Sequence, residues 1–191
     1  VAAGLAVGTY IYKRDPANPL HDNLPDGAVT LNPYVRIDAD GITLITPRAD
    51  KGQGAYSIQA ALIAEELDVA WGQFKVDPGP PSAAYFNGVV MAEGFPIAAT
   101  SDSFMANTGR GAAGVMGKLL GVQLTGGSST VADAFDRLRV AGAVARQMLL
   151  AAAAQQTGVA VAQLKTADGH VITPDGRRIP YTALAAVAGT L

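Results

Sequence analysis

Apolar and polar residues alternate in short runs between residues 35 and 46 and again between 71 and 77, and longer stretches of the chain follow helical spacing. Two alternating runs, Val35 to Asp38 and Ile42 to Thr46, flank an Asp-Gly pair, and Pro47 ends the second run. Alternation on both sides of Asp-Gly is typical of a β-hairpin. The pattern therefore predicts two paired strands.

Three stretches predict helices. Ala55 to Leu67 is rich in helix-forming residues, and residues 101–120 are compatible with a helix despite their glycines. The longest stretch is Val131 to Gln156, which carries an apolar face at helical spacing. In the first helix the predicted stripe is Ile58, Ala61, Leu62 and Glu65, with Ile63 and Leu67 beside it. In the longest helix the predicted face is Phe135, Leu138, Ala141, Ala145, Leu149 and Ala152.

Further strands are predicted on either side of these helices. Trp71 to Asp77 alternates, and the C-terminal residues form a second hairpin pattern around Pro174-Asp175-Gly176, followed by a short helix from Tyr181. The order strand, strand, helix, strand indicates an α+β fold with small mixed sheets and packed helices.

The N-terminal residues differ from the rest of the chain. Residues 1–12 carry no charge, and Lys13 and Arg14 follow them. Because twelve residues are too few to span a bilayer, we expect either the end of a longer signal sequence or membrane anchor, or a buried terminal strand. Residues 15–33 are rich in Pro, Asn, Asp and Gly, which predicts a linker. The predicted division is residues 1–31 as N-terminal segment and linker, and 32–191 as the folded domain.

The composition limits the kinds of binding site and catalytic site that the chain can form. The 191 residues include 14 basic and 16 acidic side chains, so the chain lacks the basic surface that nucleic acid requires. Cysteine is absent and only two histidines, His21 and His170, occur, which leaves little from which to build a metal site in this chain. No complete set of catalytic residues is apparent.

Two glycine turns are the best candidates for a functional site. Lys51-Gly52-Gln53-Gly54 and Thr125-Gly126-Gly127-Ser128-Ser129-Thr130 each precede a predicted helix. A helix start offers unpaired N–H groups and a positive dipole end, and glycine lets a ligand approach the backbone closely. Each turn could therefore bind an anion such as a phosphate. The alternative is that each turn is only a helix cap.

These two motifs, with the sequence around them, resemble a known family. The runs NPYVRIDADGITLITPRADKGQGAYSIQAALIAEELDVAW and LTGGSSTVADAFDRLRVAGAVARQMLLAAAA are similar to the molybdenum-binding subunit of the xanthine dehydrogenase family, of the isoquinoline 1-oxidoreductase beta-subunit or aldehyde dehydrogenase type. The similarity extends from about Asn32 to the C-terminus.

The resemblance implies a site, a cofactor and partners. It implies that molybdopterin cytosine dinucleotide with molybdenum is bound by Gly52, Gln53, Gly54, Gly126, Gly127, Ser128, Ser129 and Thr130. It also implies an oxidoreductase that oxidises an aldehyde or N-heterocyclic aromatic with oxygen from water. The implied partners are a larger molybdenum-domain polypeptide carrying the catalytic glutamate, a subunit with [2Fe-2S] clusters and, in many relatives, a cytochrome. Export to the periplasm and association with the cytoplasmic membrane through the N-terminus are expected as well.

The chain departs from the family pattern in two respects. Lys51 stands where the family commonly has Met, and the segment with the catalytic glutamate has no equivalent here. We therefore expect the chain to be an incomplete part of a larger cofactor-binding domain: a fragment, a processed piece, or a small subunit that completes its fold with another polypeptide. The alternative function is a non-catalytic structural or membrane-anchoring subunit of a cell-envelope enzyme complex.

Overall fold

The structure, a computed structural model, describes residues 13–98 and 100–191, and these residues form seven strands and five helices. In chain order they are β1 (Val29–Asn32), β2 (Val35–Asp38), β3 (Gly41–Ile45), α1 (Ala55–Leu67), β4 (Phe74–Asp77), α2 (Gly88–Glu93), α3 (Phe104–Leu119), α4 (Ser129–Thr157), β5 (Lys165–Ala167), β6 (His170–Ile172), β7 (Arg178–Pro180) and α5 (Tyr181–Ala188). The predicted α+β class with small sheets is confirmed.

The chain divides into two compact units. The first contains residues 13–18 and Pro80–Ala134, and the second contains Pro19–Gly79 and Phe135–Leu191. The predicted apolar segment, residues 1–12, lies outside the described residues. Within the described ranges, no helix is both long and apolar enough to cross a membrane.

A four-stranded mixed sheet forms the centre of the second unit. Its order is β1-β2-β3-β4, antiparallel except for the parallel pair of β3 and β4, which α1 connects. Consecutive strand residues point to opposite faces, and Ile42, Thr43, Leu44 and Ile45 are all buried, so both faces of β3 are covered. The C-terminal helix α5 packs against β1, β2 and β3.

Helices α1 and α4 approach each other closely at a glycine. A Cβ atom on Gly142 of α4 would lie 2.3 Å from the carbonyl oxygen of Ile63 in α1. Since this distance is too short for a real contact, the present spacing of the two helices requires glycine at this position. The neighbouring α4 residues Leu138, Ala141 and Ala145 are buried. The small residues of α4 thus allow it to pack closely against α1.

The remaining strands form a small antiparallel sheet, β5-β6-β7, also in the second unit. The hairpin predicted around Pro174-Asp175-Gly176 is the β6-β7 connection. At its end, the hydroxyl of Tyr181 donates a hydrogen bond to the carbonyl of Leu67 at 2.9 Å, with both groups buried. This bond ties the start of α5 to the end of α1.

The first unit is a helical pair joined through small residues. A Cβ on Gly117 of α3 would lie 3.1 Å from the Cα of Gly88 in α2, and the ring of Phe95 lies directly over Gly109. Glycine at these helical positions costs stability in an isolated helix, and here it permits backbone contact between α2 and α3. Asn87 caps α2, since its Oδ1 accepts from the N–H of Val90 at 3.0 Å.

Several predictions about elements were wrong in detail. Residues 15–33 are not wholly a linker, because β1 occupies Val29–Asn32 and pairs with β2. The strand predicted from Trp71 begins at Phe74, and the Trp71 side chain is 68% exposed. Helix α2 and strand β5 were not predicted.

Two predicted helix faces also need correction. In α1 the buried residues are Ala55, Gln59, Ala60, Ile63, Ala64 and Leu67, and Ile58 is 38% exposed. Gln59 is buried because its amide accepts from the N–H of Arg48 and donates to the carbonyls of Arg48 and Ala55. In α4 the predicted face is buried except for Phe135, which lies under the guanidinium of Arg139 at 5.2 Å.

Candidate functional site

The first glycine turn is exposed and strongly bent. Gly52 and Gly54 have φ angles of 96° and 78°, in the left-handed region that favours glycine. Gly54 is the N-cap of α1 and makes no side-chain cap, and the space around both glycines is open. Lys51, Gly52 and Gln53 are exposed. The backbone of this turn is therefore accessible to a ligand.

Several N–H groups at this turn are nevertheless bound by side chains of the chain itself. The two carboxylate oxygens of Asp50 accept from the N–H of Gly52 at 2.7 Å and from the N–H of Tyr56 at 3.0 Å. These donors, with weaker help from Gly54 and Ala55, hold the pKa of Asp50 below its ordinary value. Asp50 was missed by the sequence reasoning, although an Asp two residues before a Gly is a recognised turn former.

Gln53 also folds back onto the turn. Its Oε1 accepts from the N–H of Lys51, and its Nε2 donates to the carbonyl of Ala49 at 2.8 Å. An amide nitrogen carries two N–H groups, so one donor of Gln53 is left for a ligand. The predicted contact between Gln53 and a cofactor remains a prediction with this narrower geometry.

The second glycine turn has an exposed, left-handed backbone directly before a long helix. Gly127 and Ser128 both have left-handed backbones, with φ of 58° and 55°, and both are exposed. The backbone of Ser128 is strained, because residues other than glycine rarely adopt this left-handed conformation. Helix α4 begins at the next residue and is 29 residues long. Its first N–H groups and positive dipole end lie beside this exposed pair.

Ser129 has a structural part in this turn. It is fully buried, its hydroxyl donates to the carbonyl of Gly126 at 2.7 Å, and it accepts from Nδ2 of Asn87 at 2.8 Å. Asn87, also fully buried, donates in addition to the carbonyl of Leu124 at 2.9 Å. Asn87 therefore fixes the turn from 42 residues away, and the sequence contained no local pattern that could have identified it.

Two acidic side chains lie near the second turn. Oδ1 of Asp133 accepts from the N–H of Gly88 at 2.8 Å, so this residue supports the start of α2 rather than the start of its own helix. Oε2 of Glu93 is 3.0 Å from where a Cβ on Gly127 would stand, and the side chain is exposed. Glu93 thus adds a negative charge at the edge of the turn.

The predicted site residues are divided between the two units. Gly52, Gln53 and Gly54 belong to the second unit, and residues 126–130 belong to the first. Their convergence around one ligand remains a prediction. Among the described residues, no group of three or more His, Asp or Glu side chains could hold a metal ion.

Comparison with known proteins identifies the chain as a relative of the molybdenum-binding subunits of the xanthine dehydrogenase family, which confirms the resemblance. One relative is the isoquinoline 1-oxidoreductase subunit beta of Brevundimonas diminuta, which is 34% identical over 152 residues. These residues make up 79% of this chain but only 16% of that subunit. No protein-family model matches the chain.

Proposed function

We propose that this chain is part of a molybdenum hydroxylase complex and helps to hold its molybdopterin dinucleotide cofactor. The relationship to an isoquinoline 1-oxidoreductase subunit supports an oxidoreductase of this type. The proposed substrates are an aldehyde or an N-heterocyclic aromatic, oxidised with oxygen from water. The chain would not be catalytic alone, and the catalytic glutamate would come from a larger partner polypeptide.

One observation supports the cofactor role most directly. The exposed left-handed pair Gly127-Ser128 stands at the start of α4, where helix N–H groups and the dipole favour an anion. No hydrogen bond within the described residues engages the Ser128 hydroxyl, so it is available as a donor. These residues fit the phosphate portion of a dinucleotide. The exposed Glu93 carboxylate would have to turn away from a bound phosphate, since like charges repel.

The first turn fits the cofactor less well. Its most central N–H groups, those of Gly52 and Tyr56, already bind Asp50. A ligand could still use the open space beside Gly52 and Gly54 and the second N–H of the Gln53 side-chain amide. In the proposed complex this turn would contact the cofactor through its exposed edge.

The bound molybdenum centre would supply the redox chemistry, and the residues of this chain would position the cofactor. We further propose a [2Fe-2S] subunit and a cytochrome as electron-transfer partners, and a periplasmic location at the cytoplasmic membrane. These proposals rest on the family relationship alone.

The molybdenum content of the purified complex tests the proposed cofactor role. Gly127→Val forces a branched side chain into a left-handed backbone and a position crowded by Glu93, so it should lower the molybdenum content of the purified complex. Gly126→Val should act in the same direction. Gly176→Val is the matched control, because Gly176 has a φ of 85° and open surroundings in the β6-β7 connection. Unchanged molybdenum content with normal activity in both turn variants would remove the proposed role.

A second candidate is favoured by the hydrogen bonds that the chain itself makes in both turns. If Asp50 serves only to cap α1, and Ser129 and Asn87 serve only to hold the second turn in shape, the chain is a structural or membrane-anchoring subunit that binds no cofactor. Elemental analysis and nucleotide extraction of the co-purified complex separate the two functions. Cytidine nucleotide and molybdenum at equal amounts in the complex support the first, provided that the turn variants lower both.

A further inference from the structure

The four-stranded sheet of the second unit ends in an open edge. In the described part of the chain, β4 is the last strand in the order β1-β2-β3-β4 and pairs with β3 alone. The carbonyl of Asp77 accepts from the N–H of Thr46 at 2.9 Å, so the backbone groups of Asp77 point toward β3. Because these groups alternate in direction along a strand, those of Lys75 also point toward β3. The N–H and C=O groups of Phe74 and Val76 therefore point away from the sheet.

Exposed apolar side chains lie beside these outward backbone groups. Val76 is 41% exposed, and the exposed ring of Trp71 stands edge-on to the ring of Phe74, with centroids 5.4 Å apart. Phe74 and Val76 are two residues apart, so their side chains share one face of the sheet. Their neighbours in β3, Ile42 and Leu44, are buried. The apolar face of the sheet thus continues to its open edge.

The combination of outward backbone groups and apolar side chains identifies the kind of occupant. Another extended chain segment supplies hydrogen-bond partners at the spacing of a strand, and its alternate side chains cover the apolar face. A lipid bilayer does not, because its hydrocarbon has no groups that bind N–H or C=O. The edge is therefore a template for one more strand.

A second copy of this chain fits the edge poorly. The antiparallel register that pairs every outward group sets Phe74 of each copy opposite Val76 of the other. It also sets the two Lys75 side chains directly opposite each other, and like charges in that position are destabilising. The register with Lys75 opposite Asp77 instead sets Phe74 opposite Pro78, which has no N–H to donate.

The charge on the other face of β4 indicates what the added strand carries. Lys75 is exposed and, among the described residues, has no ion-pair partner, whereas Asp77 on the same face is 3.8 Å from the guanidinium of Arg36. An acidic side chain opposite Lys75 would pair with it across the strands.

We propose that β4 is a docking edge at which an extended segment of the larger partner polypeptide adds a fifth strand to the sheet. The segment has an apolar, acidic, apolar pattern, with its acidic residue opposite Lys75. The residues that match this chain are 16% of the related subunit, so that subunit contains much further chain from which such a strand can come. The choice of partner rests on the proposed function, whereas the pairing of the edge does not depend on the cofactor.

Amide hydrogen exchange at single residues, in the protein as purified with its partners, tests the pairing directly. With a strand added, the N–H groups of Phe74 and Val76 should exchange about as slowly as those of Lys75 and Asp77. Slow exchange at Lys75 and Asp77 with fast exchange at Phe74 and Val76 is the signature of an open edge and would overturn the proposal.

A proline variant tests whether this edge holds the partner. Val76→Pro removes the outward N–H, keeps the bonds between β4 and β3, and puts its ring where the added strand would lie. It should lower the amount of the larger polypeptide that co-purifies at least about tenfold. Val161→Pro is the matched control, because Val161 is 40% exposed and begins a short 3-10 helix, where proline is tolerated. Equal co-purification with both variants, each shown to be folded by circular dichroism, would contradict the docking edge.

The predicted acidic residue is tested by charge reversal. Lys75→Glu should weaken the association about two- to fivefold, and Lys165→Glu, the same change at an exposed lysine of β5, should not. A stronger association in Lys75→Glu would refute the acidic pattern, and two copies of this chain joined through β4 would refute the choice of partner. Molybdenum content enters none of these results. A complex with β4 paired and no molybdenum therefore refutes the proposed function alone, and a molybdenum-containing complex with an open edge refutes this inference alone.

Discussion

Replacing Gly142 by alanine tests the closest helix contact in the second unit. The new Cβ would lie 2.3 Å from the carbonyl oxygen of Ile63 and 3.0 Å from the Cβ of Glu66. Ordinary contacts begin at 3.4 Å, so α4 would have to move about 1 Å away from the α1 backbone. Since the obstacle is backbone, no side-chain rotation relieves it.

The expected loss follows from two opposing effects. Overpacking of this kind costs ~1–3 kcal/mol, and a backbone obstacle belongs near the upper end of that range. Alanine also favours the helix over glycine by about 1 kcal/mol. The net destabilisation of Gly142→Ala should therefore be about 2 kcal/mol.

Urea unfolding followed by tryptophan fluorescence measures this loss. The chain has a single tryptophan, Trp71, which lies in the same unit as Gly142. Val144→Ala is the control, because Val144 is on the same helix and 45% exposed, and its replacement should change stability by no more than about 0.5 kcal/mol. A Gly142→Ala variant as stable as the wild type, or stabilised by the alanine, would show that α1 and α4 are not in backbone contact.

Three further predictions concern hydrogen bonds that organise the chain. Asn87→Ala removes three bonds from a buried side chain and should destabilise the first unit by about 2–3 kcal/mol, measured by thermal melting with circular dichroism; an unchanged melting curve would contradict the role of Asn87. Tyr181→Phe leaves the buried carbonyl of Leu67 without its donor and should cost about 1–2 kcal/mol at pH 7 in urea unfolding. Burial raises the pKa of Tyr181, so the wild type should lose this advantage only as the pH rises well above 10, and a loss already at pH 9 would count against the buried bond. The lowered pKa of Asp50 stabilises the fold at neutral pH and this contribution is lost as the pH falls below about 4; Asp50→Asn should therefore show a shallower loss of stability in acid titration than the wild type, and parallel curves would refute it.

Regular elements with strong local patterns were predictable from the sequence. The β2-β3 hairpin follows from alternation around Asp40-Gly41, and α4 follows from its apolar spacing. Helix α2 was not predictable, because six residues are too short to show a helical period and its cap depends on the buried side chain of Asn87. Strand β1 was hidden by the turn-forming residues that precede it.

The burial of α1 shows where hydrophobicity alone fails. Its apolar and alanine residues surround the helix, so several faces were equally suitable for the core. Gln59 decides the orientation, because its buried amide bonds the backbone of both Arg48 and Ala55. Turning Ile58 inward instead would break these hydrogen bonds of the buried Gln59 amide, and losing them costs more than the exposure of part of one isoleucine.

At the candidate site, too, the sequence pattern alone was not enough to predict which backbone groups are available to a ligand. A glycine turn before a helix indicates available N–H groups only if no nearby side chain takes them. Asp50 lies within six residues of both its donors, so sequence could have indicated this competition, whereas Asn87 reaches Ser129 across 42 residues and needed the folded chain. The two turns look alike in sequence and differ in the structure: one contains its own anion, and the other leaves Gly127 and Ser128 exposed at the start of a long helix. The second turn is therefore the better candidate for a phosphate, and its shape depends on the buried asparagine behind it.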